Sequence, residues 1–133
     1  MTLKLRCQRR VDLGGRLGLS RQIFVVDKDG NPSPAYELMC SALDEDVQSA
    51  AGSGACVLEW IHRIESGEVE LADVDGNAWI IYITRDKVWF EGLYEQGIGG
   101  PVSLAQFKFA VQTYIHFLAN PGTKPTEVPF IEE

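Results

Sequence analysis

No apolar run in this chain is long enough to cross a bilayer; one of the longest, Trp79 to Ile83, is about a quarter of a spanning helix. The basic opening MTLKLRCQRRV is followed by no apolar stretch of signal-peptide length, so a mature cytosolic start is expected. The three cysteines, Cys7, Cys40 and Cys56, are odd in number and widely spaced, with no CxxC. That excludes a zinc ribbon and a disulfide framework. Buried or half-buried free thiols in a reducing compartment are expected instead, which implies a cytoplasmic protein. There is no internal repeat, no linker-like composition and no sign of a second domain. Neither a metal nor a cofactor is called for.

What is present is ordinary globular material. The 133 residues are 45% hydrophobic and 23% charged, enough for one core without staples. The net charge of −7 is unevenly placed. Residues 1–21 hold six cations, Lys4, Arg6, Arg9, Arg10, Arg16 and Arg21, against Asp12 alone. Residues 37–95 hold thirteen carboxylates against Arg63, Arg85 and Lys87. An acidic centre repels nucleic acid and attracts basic proteins; a merely solubilising surface is the plainer alternative.

Apolar periodicity gives the element order. Residues 2–10 alternate with Leu3, Leu5 and Cys7 on one face, the period of a half-buried strand. Gly14, Gly15 and Gly18 break it, and 22–27 reads as a second strand, the two forming a hairpin with a wide glycine-rich loop. Asp29-Gly30-Asn31-Pro32 is turn chemistry. A helix is expected near 35–47, a loop at 49–54 and a second helix at 55–66, with Val57, Trp60, Ile61 and Ile64 on its apolar face and Gly67 as terminator. A three-stranded meander then spans 68–93. Its first strand, 68–74, turns Val69 and Leu71 inward. Asp75-Gly76 makes the first tight turn. Residues 77–84 are apolar on both faces, as in a central strand, and Arg85-Asp86 turns into 87–93. Gly97, Gly99, Gly100 and Pro101 read as a loop. Ser103 with Gln106 is a capping box for a helix at 103–119 presenting Leu104, Phe107, Val111, Tyr114, Ile115 and Leu118. Asn120-Pro121-Gly122 ends it, and 123–133 runs extended, with Val128 to Phe130 tucking back. The class is therefore α+β: an antiparallel sheet of hairpin and meander, packed by helices near 35–47, 55–66 and 103–119.

Catalytic chemistry finds few footholds. Glu59 and His62 share a helix face at a spacing used in carboxylate-bridged metal sites, but no second copy exists, so a solvated face is the better reading. His116 has only neutral neighbours such as Gln112 and Thr113 and reads as an exposed helix residue. No cysteine has an elbow, a helix N-terminus or a base beside it; strand alternation turns Cys7 away from Arg6. The 97–100 loop precedes a capped helix, yet it lacks a P-loop lysine, and Glu91 and Glu95 would repel phosphate. The basic first strand lacks the interleaved aromatics of a single-strand binder and is expected to pair with the acidic centre. The aromatics are more informative. With Val88 and Phe90 inward, Trp89 and Glu91 lie on the opposite face, followed by Tyr94 and Glu95. The pattern admits two arrangements: an open patch suited to a basic protein, or a face covered by helix 55–66.

Glu59 to Phe130 resembles the small bacterial immunity proteins that neutralise polymorphic or contact-dependent-inhibition toxins. The residues that carry the likeness are WIIYI at 79–83, VWFEGLYE at 88–95, and GGPVSLAQFKFAV at 99–111 with the trailing YIHFL. The resemblance implies a non-enzymatic cytoplasmic protein that binds a cognate toxin, often a basic nuclease, and blocks its active site. Charge and exposure then nominate Glu68, Glu70, Asp73, Asp75, Trp89, Glu91, Tyr94 and Glu95 as the partner-binding set, on a monomer or weak homodimer that touches neither membrane nor nucleic acid. Two alternatives stand beside it. One is a small enzyme or ligand-binding domain using His62, Cys56 and the 97–100 loop; the other is a homodimeric structural subunit.

Overall fold

A computed structural model describes residues 2–132. In chain order the elements are β1 (Leu3–Val11), β2 (Leu17–Val26), α1 (Glu37–Asp46), α2 (Ala55–Glu65), β3 (Leu71–Asp75), β4 (Trp79–Thr84), β5 (Val88–Gly92), β6 (Ile98–Val102), α3 (Leu104–Ala119) and β7 (Thr126–Phe130). The α+β class expected from the sequence holds, with the strands divided between two antiparallel sheets. One has the order β2-β1-β7, the other β3-β4-β5-β6.

Alternation does in the structure what it does in the sequence. β1 buries Leu3, Leu5 and Cys7, and β4 buries Trp79, Ile81 and Ile83, while the residues between them stay exposed or half-buried. α1 touches β2 of the first sheet and β4, β5 and β6 of the second, so the core lies on the inner faces of both. α3 adds Phe107, Ala110, Val111, Tyr114 and Phe117 to it. Its capping box is formed: Gln106 N–H donates to Ser103 Oγ, and Ser103 N–H to Gln106 Oε1, each at 3.0 Å. The Gln106 amide also donates to Tyr36 Oη at 3.2 Å and to the Ile131 carbonyl at 2.9 Å, tying the last strand to the helix.

The structure corrects several expectations. The N-terminal hairpin loop is tight, because β2 begins at Leu17 and the Asp12 carboxylate accepts from both Gly14 N–H and Arg16 N–H. The strand placed at 68–74 begins only at Leu71. The N–H groups of Glu68 and Val69 both reach the Arg63 carbonyl and finish the turn after α2. That delay reverses the parity: Leu71 faces out at 55% exposure and Ala72 goes in. The glycine segment expected as a loop enters a fourth strand, β6, at Ile98, admitted because Gly99 and Gly100 take positive φ at an irregular register against β5. The extended tail pairs with β1 as β7; its expected end at Glu133 lies outside the described residues. Arg6 of the basic strand pairs at 2.6 Å with Glu127 on that tail, whereas Arg10 at the strand's other end acts on Asp44 of the acidic centre. Cys7 and Cys40 are buried as expected, but Cys56 is exposed.

α1 holds the second sheet in place with one carboxylate. Asp46 accepts hydrogen bonds from Asn77, Ala78 and Trp79 N–H at 2.9–3.0 Å. The glycine at 76 permits this approach, since a Cβ there would collide with the Asp46 carboxylate. No helix among the described residues is long and apolar enough to cross a membrane.

Candidate binding face

The outer face of the second sheet can be read directly from the ladder. Asp73 lies opposite Tyr82, and Tyr82 opposite Trp89; beside that row, Asp75, Ile80, Glu91 and Ile98 are successive partners. None of Ile80, Tyr82 or Trp89 belongs to the core or packs against it. α2 buries Val57, Ile61 and Ile64 on the opposite side, so helix 55–66 does not cover Trp89. Of the two arrangements the sequence admits, the face is open.

Its centre is ordered. The Tyr82 and Trp89 rings stack with centroids 5.3 Å apart and planes 13° from parallel. Lys87 Nζ lies 5.2 Å from the centre of the Trp89 ring, a cation–π distance. Tyr82 Oη donates to Glu91 Oε1 at 2.6 Å. That bond to a carboxylate raises the phenol's pKa, with a smaller push from desolvation and from the charges of Glu91, Asp73 and Asp75. Asp73 and Asp75 are exposed along the β3 edge of the face.

The rim is a tied-down loop. Gln96 reaches across it: its amide donates to the Ala78 carbonyl at 2.8 Å, and its Oε1 accepts from Tyr94 N–H at 2.6 Å. Tyr94 is thereby presented at 74% exposure, and Glu95 follows in the left-handed region with φ of 67°.

Of the eight nominated residues, the sheet brings Asp73, Asp75, Trp89 and Glu91 onto one face, with Tyr94 and Glu95 in the loop that follows β5. Glu70 is exposed just before β3. Glu68 is drawn to Arg63 at 3.3 Å on the end of α2 and does not join the row. Sequence reasoning missed Tyr82, Ile80 and Ile98. Strand parity already set Tyr82 and Ile80 opposite Trp79, but apolarity on both sides suggested a strand covered twice. Ile98 was hidden in glycines.

The alternative set is not assembled. His62 and Cys56 are both exposed on α2, and neither side chain makes a hydrogen bond or ion pair among the described residues. Of the 97–100 segment, residues 98–100 belong to β6 and Gly97 precedes it. Glu59, the companion of His62, bonds Arg63 Nε at 3.2 Å. No group of three or more His, Cys, Asp or Glu side chains suited to a metal occurs among the described residues.

The titratable groups most altered by the fold lie elsewhere. Asp44 lines the cleft between β2 and α1, where its Oδ1 accepts from Ile23 N–H at 2.7 Å. Burial pushes its carboxyl from 3.8 to about 7, with Glu45 adding to the rise, against the opposing pull of the Ile23 bond and of Arg10. Burial likewise lifts Cys7 and Cys40 to about 12, and the Asp44 charge adds to both. Tyr114 is shifted upward chiefly by burial.

No protein-family model matches this chain, and neither does a curated protein or a solved structure.

Proposed function

We propose that this chain is a non-catalytic binding module of the immunity type, which neutralises a basic protein toxin by occupying it with the outer face of the β3-β4-β5-β6 sheet. One observation carries the reading: an uncovered sheet face whose centre is a stacked Tyr82–Trp89 pair and whose margins are Asp73, Asp75 and Glu91. Aromatic rings held rigid by stacking and by the Tyr82–Glu91 hydrogen bond lose little freedom on binding, and Trp and Tyr dominate the energetics of protein interfaces. Carboxylates around them favour a cationic partner and speed its encounter. In this reading the protein acts in the cytoplasm, needs no cofactor, and is a monomer or weak homodimer until it meets its toxin.

The test is co-expression with the product of the adjacent gene. A 1:1 complex is expected, weakened as salt rises. The double variant Asp73→Lys, Asp75→Lys, at two exposed positions, should lower affinity by about a hundredfold or more, since each reversal turns attraction into repulsion. A neighbouring product that never copurifies, or a complex indifferent to both salt and reversal, refutes the reading.

A further inference from the structure

The four edges of the two sheets are not alike. The edge of β2 is closed: Ile23 N–H donates to Asp44, Ser33 N–H donates to the Val25 carbonyl at 2.7 Å, and Pro32 bridges to Val26. β7 carries Pro129, which has no N–H to offer. β6 carries Pro101, and its register against β5 is broken. β3 has none of these devices. Its five residues include neither proline nor glycine, and they run in unbroken register with β4. A regular edge with free N–H and C=O groups is a template for another strand.

The phase of the ladder says which groups are free. Gly76 N–H bonds the Trp79 carbonyl at 2.8 Å, and Thr84 N–H bonds the Lys87 carbonyl at 2.9 Å, towards β5. Bonded and non-bonded pairs alternate in an antiparallel ladder. Ala72 and Val74 therefore spend their backbone groups on β4, while Leu71, Asp73 and Asp75 turn theirs outward. Among the described residues nothing else in the turn and loop backbone bonding takes them up. The side chains of those same three residues flank the edge on the outer face.

We propose that β3 receives an antiparallel strand from the basic partner, with Lys or Arg at alternate positions opposite Asp73 and Asp75. This rests on the partner being basic, as argued above, and adds how it is held. The two aspartates also decide against a second copy: pairing β3 with β3 would bring like charges into opposition. A strand of alternating cations meets complementary charge at Asp73 and Asp75, and its main chain completes the hydrogen bonds.

The test uses the intact protein and a short capped peptide of alternating lysine and threonine. In the antiparallel pairing the residues opposite Asp73 and Asp75 point their N–H groups at β3. N-methylation of the lysines should therefore abolish binding, and N-methylation of the threonines should leave it. The unmodified peptide should slow amide exchange at Leu71, Asp73 and Asp75. Leu71→Pro removes one outward N–H without touching charge or ladder; it should weaken binding by up to about tenfold, the loss of one backbone hydrogen bond, while Leu71→Ala binds as wild type. Circular dichroism checks that the proline variant folds; if it does not, the methylated peptides decide. Equal binding by all three peptides overturns strand addition and leaves the charged face standing. Failure of the unmodified peptide to bind also overturns it, whereas the basic-partner reading falls only if the salt-sensitive complex with the neighbouring product is absent.

Discussion

Replacing Asp44 with asparagine takes a charge out of the cleft between β2 and α1 while keeping an oxygen to accept from Ile23 N–H. The folded carboxyl titrates at about 7 against an ordinary 3.8, so between those values the folded chain holds a proton the unfolded chain has released. Stability from this group is full below pH 3.8 and is lost as pH rises through 7. Three units at ~1.4 kcal/mol each set a ceiling of about 4 kcal/mol. Water reaching a half-buried group leaves on the order of 2–3 kcal/mol. Urea unfolding of both proteins at pH 5 and pH 8 measures it. By the same linkage about a third of the loss is already present at pH 5 and all of it at pH 8. The variant, whose side chain does not titrate, should therefore exceed the wild type modestly at pH 5 and by a midpoint shift of about 1–2 M at pH 8, for slopes of ~1–3 kcal/mol per molar. Parallel pH profiles for the two proteins, or a variant that is less stable at pH 8, would show that the Asp44 charge is not penalised and would refute the reasoning.

Asp46→Ala strips three N–H groups of their acceptor, two of them part-buried, and should cost about 2–4 kcal/mol, seen as a lowered Tm and as faster amide exchange in the 76–79 turn. Gly76→Ala should destabilise through the same contact, because its Cβ displaces the Asp46 carboxylate. A thiol reagent on the native protein should modify Cys56 alone, with Cys7 and Cys40 reacting only after unfolding, since both are buried and both titrate near 12. Ultraviolet titration should find Tyr82 ionising above free tyrosine, and Glu91→Gln should bring it back down by removing the carboxylate partner.

The most legible elements were those specified by their own residues. The helix at 103–119 was written by a capping box and a continuous stripe, and β4 by β-branched and aromatic alternation between turns. The outward direction of Trp89 followed from the inward direction of Val88 and Phe90. What stayed hidden depends on groups distant in sequence. β6 is a strand made of glycine and proline, held by pairing with β5 and not by its own propensity. The start of β3 was set by how α2 ended, through two N–H groups converging on one carbonyl, and a three-residue delay was enough to reverse Leu71. Asp46 looked like one more surface acid, yet its partners lie 31 to 33 residues further on. The division into two sheets followed from β7 choosing β1. No local pattern announces such a pairing.

That choice has a consequence for how the chain is made. β1 is the central strand of its sheet, and one of its flanks waits for residues near the other end: Arg6 and the Glu127 that clasps it stand 121 positions apart. At ~5–20 residues per second, β1 emerges on the order of 6–24 s before that neighbour exists. Throughout that interval an alternating strand rich in arginine has one side vacant. Native assembly must therefore include a zippering step in which β7 closes on β1 after everything between them has been made.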